Sequence, residues 1–340
     1  MQYAADTNAN VLPDIPTPTD VPTRGTRFRG LVTTGTAAGL ISGDMRLAAE
    51  GNGNFSAVLN LGGIDYRFTG KFLEDGSFTG TEDHGAIGVS LTYTGAAGIT
   101  GTVSAGMQTL SYTAGPVSDT SAAGYWYRYI MSPGQVIGSG SAPEGTGYGD
   151  MYVRSNGEVS LVGRLPDGSA FSTATLITSG SFATIYRHMG AGVNSGVAGT
   201  LVFEDVPDVS DCSGTLYWAK PASARYPGGF EMATQFTASA YDKVIGGLDG
   251  ATVSFSASGA DLVTPLTTNI TMRSDGNLDG GSADGVHLII ERSQNRFRGE
   301  FENPVTHELT EIRGVLLTKS RSGAGLFVSH GVSGTVTIQY

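Results

Sequence analysis

The chain has 340 residues, of which 51 are glycine, 39% are apolar and only 15% are charged. So little charge and so much glycine exclude a charge-rich disordered tail, a coiled coil and, with no glycine period of three, collagen; no apolar run reaches the ~18 residues of a membrane-spanning helix. The formal net charge of −11 argues against nucleic acid and against an anionic membrane surface, both of which call for clustered Lys and Arg.

Residues 1–24 carry Pro13, Pro16, Pro18 and Pro22 among Asp and Thr. That spacing favours an extended, polyproline-like linker. No basic stretch followed by an apolar one marks a signal peptide, and the chain reads as cut from a longer one. From residue 25 onward, alternation of period two dominates. Phe55-Ser56-Ala57-Val58-Leu59-Asn60-Leu61 and Tyr66-Arg67-Phe68-Thr69 are examples, and Thr335-Val336-Thr337-Ile338-Gln339-Tyr340 ends the chain in the same way. This is the pattern of half-buried strands. Asp75-Gly76, Asn156-Gly157, Asp167-Gly168, Asp249-Gly250, Asp275-Gly276 and Asp284-Gly285 punctuate the runs. Such pairs predict tight type I′ hairpins and therefore antiparallel pairing. Almost no helix is expected.

The chain repeats itself. Gly98-Ile99-Thr100-Gly101-Thr102-Val103 recurs as Gly196-Val197-Ala198-Gly199-Thr200-Leu201 and as Gly331-Val332-Ser333-Gly334-Thr335-Val336. Gly43-Asp44-Met45 matches Gly149-Asp150-Met151, and Gly76-Ser77-Phe78 matches Gly180-Ser181-Phe182. The expected architecture is all-β: an antiparallel hairpin meander of three related units of about 100 residues. They span residues 25–120, 121–245 and 246–340, each of seven or eight strands, packed into one or two barrel- or sandwich-like bodies. Glycines inside the strands suggest sharp bends, as at barrel corners.

Chemistry is sparse. The single cysteine, Cys212, permits no internal disulfide and no cysteine-based metal site. The five histidines are scattered, and no nucleophile elbow, Walker loop or zincin motif occurs. Glu74/Asp75, Glu82/Asp83 and Glu300/Glu302 are the carboxylate pairs that glycoside hydrolysis would need, and only the last pair shares a strand face. Exposed charges on outer faces are the simpler reading, so no enzyme is expected. Tyr125-Trp126-Tyr127-Arg128-Tyr129 is the best binding signal. Alternation puts Tyr125, Tyr127 and Tyr129 on one face, with Trp126 and Arg128 on the other. An exposed aromatic row stacks well on sugar rings; a core-facing row is the alternative. Glu204, Asp205, Asp208 and Asp211 form an acidic cluster that reads as a solvated loop around Pro207. No cofactor is expected, with one exception. Asp275, Asn277 and Asp279 have the alternating spacing of the first half of a calcium loop, with Asp284 in place of the missing glutamate. A plain Asp-Gly hairpin accounts for the same residues.

Two stretches carry a resemblance. Gly214-Thr215-Leu216-Tyr217-Trp218-Ala219-Lys220-Pro221 with Tyr226-Pro227-Gly228-Gly229-Phe230 is one. Phe297-Arg298-Gly299-Glu300-Phe301, Arg313-Gly314-Val315-Leu316-Leu317 and Gly323-Ala324-Gly325-Leu326-Phe327 make the other. They resemble the Gly-rich β-repeat regions near the C-termini of very large secreted surface proteins of verrucomicrobial-type bacteria. The resemblance implies an exported, surface-associated chain joined through its N-terminal linker to upstream modules, and it brings no catalytic residues. The leading expectation is a non-catalytic extracellular structural, adhesive or self-associating module. Self-association would run through open strand edges or through the N-terminal segment. A carbohydrate-binding module is the alternative. The apolar alternation ending on Tyr340 raises an outer-membrane barrel, but sustained apolar outward faces are missing.

Overall fold

The computed structural model describes residues 21–34, 41–82, 85–118, 124–137, 141–190, 195–241, 252–272, 278–279 and 285–340. The first eight strands are β1 (Arg27–Thr33), β2 (Ile41–Gly51), β3 (Asn54–Leu61), β4 (Ile64–Lys71), β5 (Ser77–Thr81), β6 (Ile87–Tyr93), β7 (Ile99–Ala105) and β8 (Gln108–Pro116). Next come β9 (Trp126–Ile137), β10 (Gly147–Val153), β11 (Glu158–Arg164), β12 (Ala170–Thr178), β13 (Phe182–His188), β14 (Gly196–Val206), β15 (Ser210–Lys220) and β16 (Phe230–Ala240). The last eight are β17 (Thr252–Gly259), β18 (Leu262–Met272), β19 (Leu278–Asp279), β20 (Val286–Glu291), β21 (Arg296–Glu302), β22 (Leu309–Leu317), β23 (Ser322–Ser329) and β24 (Val332–Gln339). Each set forms one antiparallel sheet. The middle set closes into a barrel through β9 and β16; the flanking sets run β4-β3-β2-β1-β8-β7-β6-β5 and β19-β18-β17-β24-β23-β22-β21-β20.

Each sheet has its own apolar core, supplied by the inward half of the alternation. Tyr129, Met131, Phe171, Leu216, Trp218 and Phe236 fill the barrel. An eight-stranded barrel is only wide enough for side chains. Cys212 lies in this core, and burial pushes its thiol pKa up. The outward residues of β11 are Glu158, Ser160, Val162 and Arg164. On this strand the outward positions are polar but for Val162, where a lipid-facing strand would be apolar. Val336 and Ile338, which raised that alternative, point into the C-terminal core. In the N-terminal sheet, Phe78 of β5 reaches over Gly70 of β4 and meets Phe55 edge-on at 4.8 Å. The sheet thus curls toward closure without a β4–β5 ladder. Val21, at the end of the expected linker, packs on the same core.

The hairpin expectation needs correction. At Asp75-Gly76, Asn156-Gly157 and Asp167-Gly168 only the glycine has positive φ, at 77°, 77° and 82°. The three turns share one design. The Asp or Asn side chain accepts a hydrogen bond from the backbone N–H two residues on, at 2.9, 3.0 and 2.8 Å. In each, the three residues between the hydrogen-bonded ends (Leu73 and Ser77, Arg154 and Glu158, Leu165 and Ser169) make an Asx-stabilised turn that ends on a left-handed glycine, in place of type I′. Both central residues are positive at Asn52-Gly53 instead, with φ of 52° and 79°.

The repeats fall unevenly on this framework. Gly43-Asp44-Met45 and Gly149-Asp150-Met151 lie on the second strand of their sets, and the Gly-Ser-Phe pair leads into the fifth of each. The Gly-x-x-Gly-Thr motif lies on β7, β14 and β24, which are the seventh, sixth and eighth strands of theirs. Its second glycine answers a close approach between strands. A Cβ on Gly101 would lie 2.0 Å from the Ser90 carbonyl oxygen, and one on Gly199 2.3 Å from that of Thr215.

Candidate binding surface between the barrel and the C-terminal sheet

The outward face of β9 and β10 carries the most distinctive side chains. Cross-strand register sets Trp126 beside Tyr152, Arg128 beside Asp150 and Ile130 beside Tyr148. The C-terminal sheet docks over the middle of this face. Arg128 donates through Nε to the Gln294 carbonyl at 2.7 Å and through Nη1 to Asp150, while Arg296 reaches the other Asp150 oxygen. The Arg128 guanidinium also lies 4.4 Å from the centre of the Tyr241 ring. Burial lowers its pKa and Asp150 opposes that, yet an arginine so paired stays charged.

The aromatic row divides. Tyr127 and Tyr129 point into the barrel and are buried, Tyr129 stacking on Phe236 at 4.9 Å. They are unavailable to an external ligand, because inward positions of a small closed barrel are core. Tyr125 has the same parity but precedes β9 and is 55% exposed. Trp126 is 51% exposed and stacks on Tyr152 at 4.5 Å. The exposed aromatic pair is therefore Tyr125 and Trp126, with the half-buried Tyr152 stacked on Trp126. The sequence reading missed Tyr152, whose signal was its outward place in Met151-Tyr152-Val153. Trp218, in the stretch that carries the resemblance, is packed at the barrel end against Phe230 at 4.7 Å.

At the other end of β9 a cleft of about 600 Å³ opens between the barrel and the C-terminal sheet. Ile130, Ser132 and Pro133 form its barrel wall. The opposite wall is the outward face of β17 and β24, where register pairs Ser254 with Gln339, Ser256 with Thr337 and Ser258 with Thr335. Alternation explains the composition: the intervening Phe255, Ala257, Val336 and Ile338 are core. At the cleft's base the Thr335 hydroxyl donates to the Glu144 carbonyl at 2.6 Å and lies 3.0 Å from the Thr146 hydroxyl. The Glu144 carboxylate accepts the Ala260 N–H at 3.0 Å. The walls thus offer neutral donors and acceptors, interspersed with Ile130, Pro133, Ala324 and Ile338, around one engaged carboxylate. Glycoside hydrolysis needs two carboxylates facing each other, and none of Glu74, Asp75, Glu82, Glu300 and Glu302 lines this cleft.

Other candidate ligands sit apart. Lys319, from the β22–β23 turn, fills the acidic cluster on the barrel. It donates to Asp205, to Asp211 at 2.6 Å and to the Ser210 carbonyl at 3.1 Å. His307 lies beside Glu302 and His330 beside Asp261, in separate loops. Among the described residues no three His, Cys, Asp or Glu side chains gather as a metal site would require. Asp275, Asn277 and Asp284 lie outside the described residues, and of Asp279 only the backbone, in β19, is described.

No family model matches the chain, and no curated protein matches it. Among solved structures, a variant of the vaccine antigen transferrin binding protein B from Haemophilus parasuis Hp5 is 11% identical over 92% of this chain and 74% of that one, with a TM-score of 0.23. The isotype 1 transferrin binding protein B from serogroup B Neisseria meningitidis is 12% identical over 94% of this chain and 76% of that one, with a TM-score of 0.25. At these scores the likeness carries no argument.

Proposed function

We propose that this chain is a non-catalytic, adhesive β module of a secreted bacterial surface protein, and that it holds neutral, hydroxyl-rich carbohydrate in the cleft between the barrel and the C-terminal sheet. The observation that supports the reading is the cleft's paired Ser, Thr and Gln wall with its single engaged carboxylate. Such a wall exchanges hydrogen bonds with sugar hydroxyls and supplies no acid–base pair. Trp126, stacked on Tyr152, is a second stacking surface on the same strand pair. The test is calorimetric titration of the full chain with neutral oligosaccharides. Binding is expected, weakened about tenfold by Thr337→Val and untouched by Val263→Ser on an exposed strand position. Absence of binding at millimolar sugar would refute the cleft reading.

Self-association is the second reading, favoured by the unpaired edges of β4 and β5. Sedimentation velocity over a concentration series, with and without calcium and with residues 1–24 deleted, tests it. Concentration-dependent assembly that is lost on deletion would assign the N-terminal segment as the donor. Calcium dependence would favour the ion-site reading of Asp275, Asn277, Asp279 and Asp284 over the plain hairpin. A strict monomer in every condition would end this reading.

A further inference from the structure

A second cleft, of about 440 Å³, lies over the outward face of β1–β4, with Leu176 of the barrel on its far side. Four arginines line it: Arg27, Arg29, Arg46 and Arg67. Their grouping follows from register. Arg29 pairs with Arg46, Arg46 with Val58, and Val58 with Arg67, so one row crosses four adjacent strands. At strand spacings of about 4.8 Å the row spans roughly 14 Å. Arg27 stands on the same face, two residues before Arg29.

Such a row is costly without a counter-charge, since like charges directly opposite destabilise a sheet. Among the described residues the internal counter-charge is incomplete. Asp44 pairs with Arg29 at 3.0 Å. Asp65 stays 3.9 Å from Arg46 and is held instead by the Asn60 amide at 2.7 Å. Neither carboxylate lines the cleft. Arg27 and Arg67 make no ion pair among the described residues, and the Arg29 Nε is buried without a partner. Burial lowers the Arg29 pKa, Asp44 opposes it, and the Arg46 charge adds to the burial effect. All this occurs in a chain of net charge −11, where a local positive patch must be built against the overall field.

We infer that this face is a binding site for an acidic polysaccharide, a polymer carrying carboxylate or sulfate groups. Guanidinium forks bind both groups in bidentate fashion. Val58 between the charges and Leu176 across from them offer apolar contact to a ring. A peptide is disfavoured, because the sheet face has spent its backbone donors and acceptors on the ladder and offers no strand-addition partner. The site is separate from the hydroxyl-lined cleft, so either reading can fail alone.

The experiment is affinity electrophoresis of the full chain in polygalacturonate and in chondroitin sulfate, over a sodium chloride series, with dextran as the neutral polymer. Retardation by one or both anionic polymers is expected at low salt and should fade as salt rises. Which polymer retards more identifies the acid group. Arg46→Gln and Arg67→Gln, both exposed, should each weaken binding about tenfold at an unchanged melting temperature. Arg298→Gln, exposed on the C-terminal sheet and paired with Glu291, should have no effect. No retardation at low salt, equal loss in Arg298→Gln, or equal binding of polyglutamate or duplex DNA would overturn the inference.

Discussion

Asp261 shows how one residue fastens several loops. It sits in the turn between β17 and β18 and accepts hydrogen bonds from Asn303 at 3.0 Å and Ser329 at 2.7 Å, with His330 at 3.3 Å. Partial burial pushes its pKa up, but the Ser329, Asn303, backbone and His330 contacts together outweigh burial and hold it below the usual value. A carboxylate with a depressed folded-state pKa adds stability above its unfolded pKa and loses it as pH falls through the folded value. Asp261→Asn should therefore lower the melting temperature by about 1–3 °C at pH 7. That deficit should begin to shrink as pH falls below the usual carboxylate range and should vanish once the pH has passed the depressed folded-state value, where the wild-type carboxyl is itself protonated. A deficit that stays constant as the pH is lowered through the acid range would show that packing, not charge, is what Asp261 supplies. The aromatic run teaches a related point. Trp126 and Tyr127 are neighbours of similar size, and only the closure of the barrel makes one surface and the other core.

At the level of the strand, glycine is a spacing device. In β7, Gly101 lies so close to β6 that a Cβ would meet the Ser90 carbonyl oxygen at 2.0 Å, whereas on Gly88 of β6 the nearest atom would be 3.8 Å away. Gly149 and Gly163 face each other in the barrel, where either Cβ would also strike the Tyr129 hydroxyl. These approaches account for much of the glycine inside strands, which a flat sheet would not tolerate. Gly101→Ala should cost about 2 kcal/mol or more, because the obstacle is backbone. Gly88→Ala should change stability by less than about 0.5 kcal/mol. Urea unfolding of the two variants decides the matter, and equal losses would contradict the bent-strand account. The shared Asx–Gly turns are the other device at this scale. Between β10 and β11 and between β11 and β12 they fix hairpin register with one Asx hydrogen bond and one left-handed glycine.

The whole molecule is three sheets fastened by polar contacts in addition to packing. Val117 pairs with Thr178, and Tyr186 donates to the Ser42 carbonyl at 3.1 Å, joining the N-terminal sheet to the barrel. Asp150, between Arg128 and Arg296, and Lys319, in its acidic nest, join the barrel to the C-terminal sheet. Arg128 is almost fully buried, so removing Asp150 leaves an uncompensated cation. Asp150→Ala should cost about 3 kcal/mol. In calorimetry the loss should appear as an early transition of the C-terminal sheet that separates from that of the barrel. A single transition, shifted as a whole, would mean that Asp150 serves the barrel alone. This junction also places the hydroxyl-lined cleft, which exists only because the two sheets are held apart at a fixed distance.

The sequence by itself determined the all-β class, the antiparallel hairpins and the apolar half of each strand. These follow from period-two alternation and turn chemistry, which act over a few residues. Three matters were decided only by the tertiary structure. The middle set closed because β9 and β16 pair along nearly their whole length, from Glu231 with Ile137 to Ala240 with Tyr127. The acidic cluster at Asp205 and Asp211 acquired a lysine from a turn more than a hundred positions away. Both clefts drew their walls from separate sheets, Ile130 with Gln339 in one and Arg67 with Leu176 in the other. Alternation states which residues share a face, but it does not state what that face will meet, because the register between distant strands is set by the packing of whole cores.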